Sequence, residues 1–158
     1  MNIFLSKKNF YLFILSYSLF AILFALYIEY ILNYKPCKLC LYQRIPYIIA
    51  IFISFIGYNY FKNNKILFLI IITFFLSVLI SGYHYGIENN IFEEFSGCIS
   101  NSLEIVDKID LLNSLKENVA SCKDAIFKLF GMSLAGINFI LSLFIIVYSF
   151  LILLYEKN

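Results

Sequence analysis

The sequence has few charged residues. Asp, Glu, Lys and Arg make up 14% of its 158 residues, whereas apolar residues make up 62%. Soluble globular domains carry roughly 25% charged and about 45–50% apolar residues, so this composition excludes an ordinary soluble domain. The sequence also contains no phosphate-binding loop, no protease arrangement, no haem signature and no basic nucleic-acid-binding stretch. The low charge and high apolar content indicate a membrane protein.

The apolar residues fall into four long runs, and a helix needs about 20 apolar residues to cross the hydrocarbon core of a bilayer. The first run exceeds the roughly 7–15 apolar residues of a signal peptide and lacks a small-residue cleavage site, so we expect a retained anchor. We predict an all-α, polytopic membrane protein, a four-transmembrane-helix bundle forming one domain over residues 1–158. The predicted helices cover about Phe10–Leu32, Ile45–Phe61, Ile66–Tyr83 and Met132–Leu154, and Pro46 is expected in the first turn of the second helix.

Basic residues in the short segments indicate the orientation of the chain. Lys7, Lys8, Lys62, Lys65 and Lys157 all lie at helix ends that share one side of the membrane. Short cytoplasmic segments carry an excess of Lys and Arg, so both termini and the turn between the second and third helices are predicted to be cytoplasmic. The two remaining loops, about 33–44 and 84–131, then share the opposite side.

All four cysteines lie in these two loops. Cys37 and Cys40 form a CxxC pair in the first loop, and Cys98 and Cys122 lie in the long loop. A CxxC pair can alternate between dithiol and disulfide because its sulfurs are close enough to bond. An even number of cysteines on one face is typical of a disulfide system in an oxidising compartment. Two dithiol pairs in series can form an exchange relay.

Other interpretations of the cysteines remain open. Each pair can be a static disulfide, and closing the long loop would add roughly 3 kcal/mol by the chain-entropy argument. A structural zinc site needs four ligands in closely spaced pairs, whereas Cys98 and Cys122 are far apart, so we predict no metal site. Between those cysteines, apolar residues at spacings of three and four predict a short amphipathic helix at about 103–119. That helix lies either in the membrane interface or against the first loop.

Few other polar residues flank the helix ends. Arg44 lies one helical turn after Cys40, where a guanidinium can stabilise a thiolate or the oxygen of a lipid-soluble electron carrier. The alternative is an interfacial arginine that reaches the lipid headgroups. Gln43 is a weaker candidate for a hydrogen bond to the same oxygen. His84, the single histidine, follows the third apolar run, and a lone interfacial histidine is more often a structural hydrogen-bonding residue than a ligand. Glu29 is a membrane-embedded acid that we leave outside the predicted site.

One segment resembles a known family. The run PCKLCLYQRIP at 36–46 is similar to the CxLCxxQRxP signature of the disulfide bond formation protein B (DsbB) family, quinone reductases of the bacterial inner membrane. YHYGIE at 83–88 resembles the family's YHxGxE stretch, and GMSLAG at 131–136 resembles the start of its last helix. The chain departs from the family in having no tryptophan, and 93–97 lacks the proline expected in a partner-binding segment.

The resemblance implies an order of thiol exchange. A DsbA-like, thioredoxin-fold protein of the periplasm would attack Cys98, Cys122 and Cys37 would exchange next, and Cys40 would face the quinone. Arg44 and His84 would lie near the quinone ring, and the cofactor would be ubiquinone or menaquinone from the membrane pool. The sequence therefore predicts an inner-membrane, quinone-dependent protein-dithiol oxidoreductase, with lipid and the thioredoxin-fold protein as partners and no nucleic acid. The alternatives are a dedicated DsbI-type oxidase for a specialised substrate and a non-catalytic membrane protein with two structural disulfides.

Overall fold

Four long helices dominate the computed structural model, which describes residues 6–93, 122–123, 128–129 and 131–157. Each helix within this part of the chain is long and apolar enough to cross a membrane, which confirms the predicted all-α, four-helix membrane fold. The predicted amphipathic helix at 103–119 lies outside the described residues. The helices are α1 (Lys7–Tyr30), α2 (Lys38–Asn59), α3 (Asn64–Glu88) and α4 (Leu134–Lys157).

The helices pack in chain order, with α1 against α2, α2 against α3, and α3 against α4. The main core is a cluster of apolar and aromatic side chains from all four helices, among them Tyr11, Tyr47, Phe74 and Ile145. Large apolar residues on the outer surface are exposed, and Phe20, for example, is 67% exposed. In a bilayer these side chains contact lipid, which is why helices that are apolar on every side are stable there.

The second helix begins at Lys38, well before the apolar run at Ile45. Cys37 is its N-cap, and its sulfur accepts a hydrogen bond from the backbone N–H of Cys40. The expectation that Pro46 lies in the first turn is therefore wrong: Pro46 lies inside α2. The helix start is fixed by the cap, because the cap satisfies one of the backbone N–H groups that have no partner within the helix. The CxxC pair and Arg44 consequently lie on one rigid element.

A short hairpin leads into α4. Strands β1 (Lys128–Leu129) and β2 (Met132–Ser133) pair antiparallel, and Gly131 in the turn between them has a φ of +82°, a conformation that favours glycine. The hydroxyl of Ser133 accepts a hydrogen bond of 3.1 Å from the backbone N–H of Gly136, which caps the start of α4. This cap fixes the first turn of α4 beside the end of the bundle that carries the CxxC pair.

Candidate redox site

The site is built on the first turn of α2. Cys37 and Cys40 are free thiols, and the backbone N–H of Cys40 lies 3.1 Å from the sulfur of Cys37. Cys37 is 4% exposed and Cys40 is half-buried. The pKa of the Cys37 thiol is raised by its side-chain hydrogen bond with Cys40 and then by burial, which outweigh the opposing backbone N–H groups of Cys40 and Leu39. At a given pH less of Cys37 is therefore thiolate than an ordinary cysteine would be, and Cys40 is the more exposed thiol of the pair.

His84 links the CxxC pair to α3. Its Nε2 lies 3.6 Å from the sulfur of Cys37, and its Nδ1 accepts a hydrogen bond of 2.8 Å from the side-chain amide of Gln43. The Oε1 of Glu88, one turn further along α3, lies 3.7 Å from the same Nε2. His84 is 4% exposed, so protein groups rather than water surround both ring nitrogens. The ring is thus held between α2 and α3 and points one nitrogen at the buried sulfur.

Cys122, from the long loop, lies beside Cys37. It is 1% exposed, packs in one small cluster with Cys37, Leu39 and Ile87, and is disulfide-bonded. Because Cys37 and Cys40 are free, its partner in that bond lies outside the described residues, as does Cys98. This packing joins the long loop to the CxxC pair, which is the contact that thiol exchange between the two loops requires.

Cys37, His84 and Cys122 are residue types that bind metals, and they lie close together. The ligand atoms of Cys37, His84 and Cys122 lie within 4.8 Å of one another, and all three residues are buried. Zinc binds cysteine as the thiolate, however, and the sulfur of Cys122 is committed to a disulfide. The arrangement therefore fits sulfur exchange better than metal binding.

Arg44 occupies the next turn of α2 and forms an ion pair with α1. Its Nη1 donates a hydrogen bond of 2.5 Å to Oε2 of Glu29, and the two side chains are 19% and 23% exposed. An arginine inside a membrane protein needs such a partner because an isolated buried charge is costly. Glu29 also fixes the direction of the guanidinium, which is a planar, rigid fork with five N–H donors.

A cavity of about 560 Å³ joins these groups, within the range of roughly 300–1,000 Å³ that ligand pockets occupy. One wall is apolar and comes from α1, including Phe20, Phe24 and Ile28. Because Phe20 is also strongly exposed, the cavity reaches the lipid-facing surface of the bundle. The polar end is lined by Glu29, Cys37, Cys40, Gln43, Arg44, His84 and Glu88. A wide groove at the α2–α3 turn, 59–65, lies at the other end of the bundle and contains none of the predicted site residues.

The structure brings Cys37, Cys40, Arg44 and His84 together around this cavity, with Cys122 packed behind Cys37. Sequence reasoning missed the contributions of Glu29, Glu88 and Asn138 and gave Gln43 too little weight. Glu29 and Asn138 carried a signal in the sequence, because a polar side chain within a membrane span is costly unless it has a partner. The identity of each partner required the packed structure.

Comparison with known proteins agrees with this geometry. The family profile described as Disulfide bond formation protein DsbB matches residues 7–152. The chain therefore belongs to the DsbB family, and it is a multi-pass membrane oxidoreductase that acts with a thiol–disulfide partner in disulfide bond formation. It is also 31% identical over 150 residues to the uncharacterized protein RP370 of Rickettsia prowazekii (strain Madrid E), an alignment that covers 92% of this chain and 87% of the relative.

Proposed function

We propose that this protein, as a single DsbB-like domain in the bacterial inner membrane, reoxidises a DsbA-like thioredoxin-fold carrier and passes the electrons to a quinone. Both termini are cytoplasmic and the cysteine loops are periplasmic. The observation that carries the proposal is the single cavity in which a CxxC pair, an arginine and an apolar, lipid-reaching wall meet. A lipid-soluble electron acceptor needs this combination: an apolar route from the bilayer, a donor for its oxygen, and a nearby thiol.

The thiol steps follow from the positions of the cysteines. A thiolate of the reduced carrier attacks Cys98 of a Cys98–Cys122 disulfide, forming a mixed disulfide and releasing Cys122 as a thiolate. Cys122 packs against Cys37, so it attacks the Cys37 sulfur of the oxidised CxxC pair. That bond breaks and Cys40 leaves as a thiolate that holds the electron pair. The second thiol of the carrier then resolves the mixed disulfide, and the released Cys98 reforms its bond with Cys122 and frees Cys37.

The residues around Cys40 fit a quinone, ubiquinone or menaquinone. The cavity is large enough for the ring, the α1 wall suits an apolar tail, and the Arg44 fork lies one turn from Cys40. A bound quinone supplies an acceptor for two electrons and two protons. Arg44, oriented by Glu29, stabilises negative charge at that end of the cavity, and the side-chain amide of Gln43 keeps the ring of His84 in place. The apolar wall excludes water from the sulfur.

A cysteine substitution tests the order of the relay. Cys98→Ser removes the site of attack, so oxidation of a reduced thioredoxin-fold carrier should stop. The Cys37–Cys40 pair in that variant, reduced by a small dithiol, should still be reoxidised by quinone. Full carrier turnover by Cys98→Ser would contradict the relay. A carrier that lacks its second cysteine should accumulate as a mixed disulfide on Cys98, and capture of only one specialised substrate from the periplasm would indicate a dedicated oxidase.

A further inference from the structure

A chain of side-chain amides crosses the bundle from α4 to the redox site. Asn138, which lies within the membrane span of α4, donates a hydrogen bond of 3.0 Å from Nδ2 to Oε1 of Gln43 on α2. Gln43 in turn donates from Nε2 to Nδ1 of His84 at 2.8 Å. The ring of His84 is therefore connected, through Gln43, to Asn138, which lies on a different helix and far from the CxxC motif in the sequence.

The hydrogen bonds between these side chains have a defined donor-to-acceptor direction, from Asn138 through Gln43 to His84. The carbonyl oxygen of Asn138 accepts hydrogen bonds from the hydroxyl groups of Tyr47 and Ser142, the latter at 3.2 Å. Its NH₂ group therefore faces Gln43, whose carbonyl oxygen accepts that bond and whose NH₂ group faces the ring. An amide NH₂ can only donate, so with Gln43 in this orientation Nδ1 of His84 is the unprotonated nitrogen. A neutral imidazole carries one proton, which places the proton on Nε2.

The protonated nitrogen, Nε2, faces the sulfur of Cys37. Nε2 lies 3.6 Å from the sulfur of Cys37, and the backbone of Cys122 also hydrogen-bonds to this ring. In this tautomer, His84 donates to the sulfur of Cys37 and stabilises the negative charge that Cys37 gains when the Cys37–Cys122 bond breaks. In the other tautomer, Nε2 would be an acceptor, which cannot stabilise a thiolate and is instead the form that binds zinc.

We propose that Asn138 is a positioning residue that holds Gln43 in one orientation and thereby keeps His84 as the Nε2–H tautomer facing Cys37. The tautomer is inferred from the orientation of the Asn138 and Gln43 amides, independently of any turnover. Its effect on turnover rests on the proposed function, so the two are tested by separate measurements.

The single histidine makes the tautomer directly measurable. Protein labelled with ¹⁵N-histidine contains one labelled ring. In the reduced wild-type protein in detergent, we expect one protonated signal from Nε2 and one unprotonated signal from Nδ1. In Asn138→Leu, which has a similar side-chain volume but no amide, Gln43 can rotate, and the two signals should move toward each other as the tautomers mix. Ser149→Ala is the control: it removes a buried polar group of α4 that, among the described residues, donates to the backbone carbonyl of Ile145 at 2.7 Å, and it should leave both signals unchanged.

A second variant protects the test against misfolding of the first. Gln43→Met removes the donor itself and should shift the ring signals as Asn138→Leu does. The double variant should show no further change, because Asn138 acts only through Gln43. A protonated Nδ1 in the wild-type protein would overturn the inference. Retention of a single Nε2–H tautomer in both single variants would also overturn it, as would a large shift of Nε2 when Zn²⁺ is added to the reduced wild-type protein.

Turnover then tests whether the tautomer matters. We expect Asn138→Leu to oxidise the reduced carrier about five-fold more slowly, as loss of one oriented hydrogen bond of about 1 kcal/mol implies, with Ser149→Ala unchanged. Unchanged turnover in a variant whose ring signals have moved would overturn the positioning role while leaving the proposed function intact. Absence of turnover in the wild-type protein, with the expected ring signals, would overturn the proposed function and leave the tautomer inference standing.

Discussion

Glu29 of α1 and Arg44 of α2 form an ion pair, with 2.5 Å between Oε2 and Nη1 at the polar end of the redox cavity. The pair joins the helix that supplies the apolar wall of the cavity to the helix that carries the CxxC thiols. Because both side chains are mostly buried, each charge depends on the other for compensation.

Removing one charge of this pair should destabilise the fold. We expect Glu29→Gln to lower the free energy of unfolding by about 1–3 kcal/mol, less than the roughly 3–5 kcal/mol seen for fully buried pairs, since both residues keep some contact with water. Denaturant titration in mixed micelles measures this. The double variant Glu29→Gln/Arg44→Met removes both charges and should recover part of the loss. If the double variant lost as much stability as Glu29→Gln and Arg44→Met lose separately, added together, the two charges would not be coupled and the ion pair would not stabilise the fold.

The two thiols of the CxxC pair should differ in reactivity. The pKa of Cys37 is raised by its hydrogen bond with Cys40 and by burial, so less of it is thiolate at any given pH. At pH 7, iodoacetamide should alkylate Cys40 of the reduced protein at least about ten-fold faster than Cys37. Reaction at Cys37 should rise only above the usual thiol pKa of about 8.5. Peptide mapping by mass spectrometry distinguishes the sites.

Cys40→Ser is the control for that measurement. It removes the thiol that shares the hydrogen bond with Cys37, so the pKa of Cys37 should fall and its alkylation at pH 8 should accelerate. Equal labelling of both thiols in the unmodified protein at pH 7 would contradict the assigned difference.

Because α1 packs closely on α2, we expect Gly57 not to tolerate a larger side chain. A Cβ added at Gly57 would lie 2.7 Å from ring carbons of Tyr11, which is fully buried. Gly57→Ala should therefore cost about 1–3 kcal/mol in the free energy of unfolding, because overpacking forces the helices apart. At Gly82 the nearest atom, in the ring of Phe139, is 3.1 Å away, so Gly82→Ala should cost clearly less. The reverse order of the two variants would mean that α1 and α2 do not pack as described.

The sequence was sufficient for the parts of this structure that depend on composition and on local pattern. Four apolar runs predicted four membrane helices, and the spacing of Cys40 and Arg44 correctly predicted neighbouring side chains on one helix face. The start of α2 was missed because the cap at Cys37 precedes the apolar run, so hydropathy gives no sign of it.

Contacts between helices could not be predicted in this way. His84 meets Cys37 across 47 positions of the chain, and Asn138 reaches Gln43 across 95. Glu29 was a visible anomaly in an apolar run, but its pairing with Arg44 depends on how α1 and α2 turn toward each other. Such pairings are properties of packing, and no periodicity within one segment encodes them.

The most direct test of the central claim is the absorbance of quinone in detergent when purified protein and a reduced thioredoxin-fold carrier are added together. We expect the oxidised quinone band of ubiquinone or menaquinone to disappear, and Cys37→Ser and Cys40→Ser each to stop the reaction. The carrier must be shown to be competent and the protein to be folded. No loss of either quinone band under those conditions would contradict the claim, and the cysteines would then be static disulfides or would serve a different acceptor.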